Sequence, residues 1–106
     1  MVIPIRHTAD ILELSKDEFE EMGDLMRHSV KILKETVSAE GINVGYNLGS
    51  AAGAGISAHL HMHIVPRWNG DTNFMPVISE IKVISEHMAT TYEKLAAAFN
   101  KLKRAP

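Results

Sequence analysis

Apolar positions recur in two rhythms along this chain. Phe19, Met22, Met26, Val30, Leu33 and Val37 fall at steps of three and four, one stripe on a helix, while Glu20, Glu21, Asp24, Arg27, Lys31 and Lys34 take the other sides. Ahead of that stripe Ser15-Lys16-Asp17-Glu18 has the capping-box pattern, with acids at the positive end of the helix dipole. Behind it Gly41 is a natural left-handed stop, so the pattern predicts a helix over 16–39. Ile42, Val44, Tyr46 and Leu48 then alternate with Asn43, Gly45 and Asn47, which predicts a short strand. A small-residue loop, Gly49 to Gly55, leads to a second predicted strand over 58–66. Asn69-Gly70-Asp71 signals a turn, and 77–83 reads as a further short strand. Ser85 is the expected cap of a second helix, with Met88, Tyr92, Leu95, Phe99 and Leu102 as its buried stripe and Lys101, Lys103 and Arg104 at its negative end. The opening Met1–His7 reads as the tail of an apolar strand, closed by Pro4 and begun upstream of Met1.

Strands joined by short loops favour antiparallel pairing, so the order predicts an α+β fold with helices on one face of the sheet. A length of 106 residues suits one domain over 1–106. Eleven Lys and Arg against thirteen Asp and Glu give a net charge of -2, without the basic excess that a binder of duplex nucleic acid needs. Cysteine is absent, which excludes disulfides, thiolate metal sites and a Cys nucleophile. No apolar run approaches the ~20 residues of a membrane span, and the expected location is cytoplasmic.

Six histidines are many for this length, and three lie within His59-Leu60-His61-Met62-His63. On a strand His59, His61 and His63 share one face, roughly 6.5–7 Å apart, and Leu60, Met62 and Ile64 share the other. A neutral imidazole can attack phosphorus, and a neighbour can bind phosphate oxygens or protonate a leaving group. A two-residue spacing can also put two imidazoles on one zinc, and single strand histidines are often structural. The residues alone favour phosphate chemistry first, metal second and a structural role third. The glycines of the loop just upstream let backbone approach an anion, and Asn47 can donate its amide to a phosphate oxygen.

His59-Leu60-His61-Met62-His63-Ile64-Val65 resembles the His-x-His-x-His-x-x signature of the histidine triad (HIT) superfamily of nucleotide hydrolases and transferases. Val2-Ile3-Pro4-Ile5-Arg6-His7 is similar to the family's strand and turn before its long helix, and Asn47-Leu48-Gly49 to its phosphate-side Asn-x-Gly. The segment from Pro66 to Pro76 resembles the branch that includes diadenosine tetraphosphate phosphorylases. The resemblance implies a HIT-like fold, of which this chain is the C-terminal portion; the N-terminal strands, the nucleoside pocket and a further family histidine lie outside it.

On that resemblance His61 is the nucleophile, forming a nucleotidyl-histidine from a dinucleoside polyphosphate; His59 orients it, and His63 binds phosphate and assists the leaving group. Asn47, Gly53, Gly55, Ile56 and Ser57 are the expected nucleotide and phosphate contacts, and Asp71, Thr72 and Asn73 candidate specificity residues. Arg67 and Trp68 read as a salt-bridged, packed turn. Many relatives carry Ser or Thr where Ile56 stands, a departure that suits the phosphorylase-like branch. The resemblance implies an AMP-containing substrate, a divalent cation only as its companion, no metal cofactor, and a homodimer. An inactive nucleotide-binding fragment and a histidine-rich metal module stand as the alternatives.

Overall fold

The computed structural model describes residues 1–55, 59–71 and 81–104. Its main elements are α1 (Lys16–Thr36), β1 (Gly41–Tyr46), β2 (Met62–Arg67) and α2 (Ile81–Arg104), with 3-10 turns at Ile11–Glu13 and Ser50–Ala52. The chain divides into two compact units, Met1–Val30 with Ile42–Val65, and Lys31–Gly41 with Pro66–Pro106. The architecture is α+β, with β1 and β2 forming a two-stranded sheet. The opening segment contributes an antiparallel bridge between Val2 and Met62 rather than a full strand.

α1 begins as its sequence dictates. The Glu18 N–H donates to Ser15 Oγ at 3.1 Å and the Ser15 N–H to Glu18 Oε1 at 3.0 Å, a reciprocal capping box that satisfies two otherwise orphaned donors. The helix stops at Thr36, before the expected end. Ser38, not Gly41, adopts the left-handed conformation (φ 54°), and Gly41 opens β1. The Trp68 indole N–H secures this exit by donating to the carbonyls of Val37 and Ser38, at 3.1 and 3.0 Å.

In the first unit Val2, Met22 and Met62 form the buried cluster, with Leu14, Met26, Tyr46 and Ile64 packed against it. α1 therefore covers the face of β2 that carries the residues between the histidines. Its buried line includes Met22 and Ser29, the Ser29 hydroxyl being satisfied by the Leu25 carbonyl at 2.7 Å. Phe19, expected in that line, is 51% exposed. In the second unit Ile32 and Leu33 are buried.

The reading of α2 needs two corrections. It starts at Ile81, so 81–83 are helical rather than strand and Ser85 lies inside the helix; 77–80 lie outside the described residues. Met88 and Tyr92 are exposed, and only Leu95, Phe99 and Leu102 of the expected stripe are half-buried. Periodicity marks a common face, but it does not say how far along its length that face is covered.

Candidate active site

The alternation along the histidine segment is realised. Leu60 and Met62 are buried, and His59, His61 and His63 are half-buried. Residues 59–61 precede β2 and are held by the opening segment instead, the Leu60 N–H donating to the Thr8 carbonyl at 2.7 Å. Val2 and Met62 exchange backbone hydrogen bonds at 3.0 and 2.8 Å.

Two of the rings have fixed proton positions. His59 Nε2 lies 2.8 Å from the Pro4 carbonyl oxygen and 3.0 Å from that of Arg6. Carbonyl oxygens only accept, so Nε2 of His59 carries the proton. His61 Nδ1 lies 2.8 Å from the His59 carbonyl, which puts the His61 proton on Nδ1. In the neutral ring the lone pair then sits on Nε2 of His61. The His63 ring packs edge-on to His61 with centroids 4.5 Å apart, and its buried Nε2 has no hydrogen-bond partner among the described residues. A buried polar atom left in that state is costly unless something else supplies a partner.

The segment supplying these carbonyls is itself anchored. The Arg6 guanidinium donates to the Glu18 carboxylate and to the Glu13 carbonyl, and Thr8 Oγ1 donates to the Glu13 carboxylate at 2.6 Å. Glu18 is held below the ordinary carboxylate range, first by the Ser15 N–H and then by Arg6.

A cavity of about 310 Å³ is lined by Ala9, Asn47, Gly49, Ser50, Ala54, Gly55, His59, Leu60 and His61. The fold thus brings Asn47 and Gly55 to the same cavity as His59 and His61. The loop bends through Gly49 (φ 83°) and Gly53 (φ 99°), a left-handed region that side chains disfavour. A Cβ on Gly53 would also lie 3.7 Å from Asn47 Nδ2. The expectation that the loop's N–H groups cradle the anion needs correction in part. Those of Ala52 and Ala54 donate to the Gly49 carbonyl and that of Gly53 to the Ser50 carbonyl, because the 3-10 turn consumes them. Asn47 and Ser50 are the polar residues the loop brings to the cavity wall.

His63 does not line this cavity, and Ile56, Ser57, Thr72 and Asn73 lie outside the described residues. Asp71 is engaged locally: its carboxylate accepts from Arg67 Nε and Nη2 at 2.7 and 2.8 Å and from the Trp68 N–H at 3.1 Å. Arg67 holds it down to a pKa of about 2. The Glu40 carboxylate binds the Asn69 backbone and side-chain amides, both at 2.9 Å. The salt bridge expected of the Arg67–Trp68 turn is present, between Arg67 and Asp71, while the Trp68 side chain is 36% exposed. Sequence reasoning missed Ala9 and Ser50 in the cavity wall, and the Pro4 and Arg6 carbonyls that orient His59. Main-chain acceptors leave no residue signature; only Pro4, which ends the ladder, marked this place.

Comparison with known proteins shows the family of the chain. The HIT domain model matches residues 1–70, and the chain belongs to the HIT domain family. It is 38% identical over 96 residues to an AP-4-A phosphorylase of Mycobacterium tuberculosis, covering 91% of this chain and 49% of that protein. It is 27% identical over 93 residues to the asymmetrical bis(5'-nucleosyl)-tetraphosphatase of Schizosaccharomyces pombe, covering 87% of this chain and 50% of that one. The chain thus spans about half the length of these curated relatives. Among solved structures, a zinc-bound histidine triad family protein from Mycobacterium smegmatis aligns with a TM-score of 0.67 at 28% identity, over 98% of this chain and 70% of its own. Among the described residues no helix is long and apolar enough to cross a membrane.

Proposed function

We propose that this chain carries the reactive centre of a nucleotidyl transferase acting on dinucleoside polyphosphates, with His61 as nucleophile and inorganic phosphate as acceptor. The observation that carries the reading is the His61 Nδ1–H bond to the His59 carbonyl, which leaves Nε2 of a cavity-lining imidazole with its lone pair. In the first step that lone pair attacks the α-phosphorus. A P–N bond forms as the P–O bond to the rest of the polyphosphate breaks, and the electron pair leaves with the departing nucleoside polyphosphate. In the second step a phosphate oxygen attacks the same phosphorus. The P–N bond breaks, its electron pair returns to Nε2, and a nucleoside diphosphate is released.

His59 positions His61 and Asn47 holds phosphate oxygens, whereas His63, outside the cavity wall and with its Nε2 buried, is given no contact with the polyphosphate. A phosphate oxyanion needs no general base, which lets it outcompete water where a pocket concentrates it. A divalent cation enters only with the substrate, and a homodimer is the assembly that accompanies this reading. Two observations favour it: the relative named as a phosphorylase shares the higher identity, and Ile56 stands where a hydrolase-like hydroxyl would. Zinc capture by the triad is the weaker reading, because among the described residues no three histidine, aspartate or glutamate side chains are grouped to hold a metal ion.

Incubation with diadenosine tetraphosphate, with and without phosphate, tests the proposal. Intact-mass analysis of the quenched reaction should show an adenylyl adduct, and phosphate should accelerate turnover to ADP. Equal rates with AMP as the nucleotidyl product in both arms would replace phosphorylase with hydrolase. An adduct persisting in His61→Ala would remove His61 from its role. Nucleotide binding without any adduct would leave the inactive-fragment reading.

A further inference from the structure

His7 is an exposed residue that the reaction above does not use, yet its ring packs edge-on to His59, with centroids 4.8 Å apart and planes at 73°. The same short segment also gives His59 its two carbonyl acceptors, from Pro4 and Arg6. Three contacts to one imidazole therefore come from four consecutive residues. The segment cannot drift, because the Arg6 side chain is tied to Glu18 and Glu13 and Glu18 closes the α1 capping box.

The two carbonyls select the Nε2–H form of His59 only while the ring stays aligned with them, and a bifurcated bond, which tolerates a range of angles, resists tilting weakly. A second ring set across it blocks that tilt. The His59 carbonyl in turn receives the His61 Nδ1–H, so disorder at His59 reaches the nucleophile through one residue of backbone.

We infer that His7 is a positioning residue: its ring braces His59, which keeps His59 in its Nε2–H form and His61 aimed with Nε2 toward the cavity. The inference rests on the proposed role of His61, and aromatic contact, not proton transfer, is what His7 contributes. Phenylalanine can supply that contact and glutamine cannot.

Nitrogen-15 spectra of histidine-labelled chain near pH 8, where ordinary imidazoles are neutral, read the tautomers without any substrate. The wild-type protein and His7→Phe should each show His59 protonated at Nε2 and His61 at Nδ1. His7→Gln and His7→Ala should show mixed tautomers at His59. Adduct formation should slow about tenfold in His7→Ala and His7→Gln with KM unchanged, and recover in His7→Phe. If His7→Ala does not fold, the Phe and Gln variants carry the comparison. Unaltered His59 signals in His7→Gln, or altered ones in His7→Phe, would overturn the inference. Tautomers that respond as expected in a chain that forms no adduct would uphold the brace and sink the proposed reaction instead.

Discussion

Two polar clusters lie at the two ends of β2 in the sequence, and they are built on opposite principles. At the end of the strand, Arg67, Trp68, Asn69 and Asp71 bind Glu40, the exit of α1 and one another: Asp71 accepts three hydrogen bonds, and the carboxylate of Glu40 and the indole N–H of Trp68 each make two. At the start of the strand, each histidine uses one ring nitrogen or none. His59 and His61 are anchored through a single N–H each, and His63 Nε2 is buried without a described partner. A cluster whose valences are filled is a staple, whereas one held on one side and vacant on the other is organised for a visitor.

That contrast breaks most sharply at His61. His61→Ala should reduce adduct formation by a factor of about 10³ or more while the melting temperature stays near wild type, since a half-buried ring with one hydrogen bond contributes little to the core. Thermal scans beside single-turnover mass spectrometry check both halves, and a large stability loss would make the triad structural. Asn47→Ala removes an amide from the cavity wall; nucleotide affinity by calorimetry should fall about tenfold to a hundredfold, as for a hydrogen bond to a charged group.

At the staple the expected pattern inverts. Trp68→Phe keeps the ring but loses both bonds to Val37 and Ser38, and should cost about 0.5–1.5 kcal/mol in denaturant unfolding. The smallest effect is expected at Asp71→Asn, and it depends on pH. The folded carboxyl sits at about 2, depressed by Arg67, so its stabilising contribution is complete above the ordinary carboxylate range and lost as pH falls toward 2. The variant should therefore melt slightly below wild type at neutral pH and converge with it between roughly pH 4 and 2. A gap that persists unchanged at pH 2 would show that something other than the ionised carboxylate stabilises the turn.

Local rules in the sequence settled much of this molecule. Ser15 and Glu18 announced the start of α1 because a capping box is a contact between near neighbours, and the three-four spacing behind them announced its length to within a turn. Period two along His59–Ile64 separated imidazoles from core residues, since strand geometry alone dictates that alternation, and the triad with Asn47 pointed to the family. Tertiary structure decided the rest. Whether Phe19, Met88 and Tyr92 are covered depends on what packs against the helix, which periodicity does not encode. Ser38 rather than Gly41 turns the chain after α1, and the indole N–H that bonds to that exit comes from Trp68, thirty residues away. The tautomers of His59 and His61 are set by backbone carbonyls, whose directions exist only in the folded chain; those of Pro4 and Arg6 reach His59 from more than fifty residues upstream. Side-chain chemistry is written residue by residue, but which nitrogen of each imidazole carries the proton is decided by the fold.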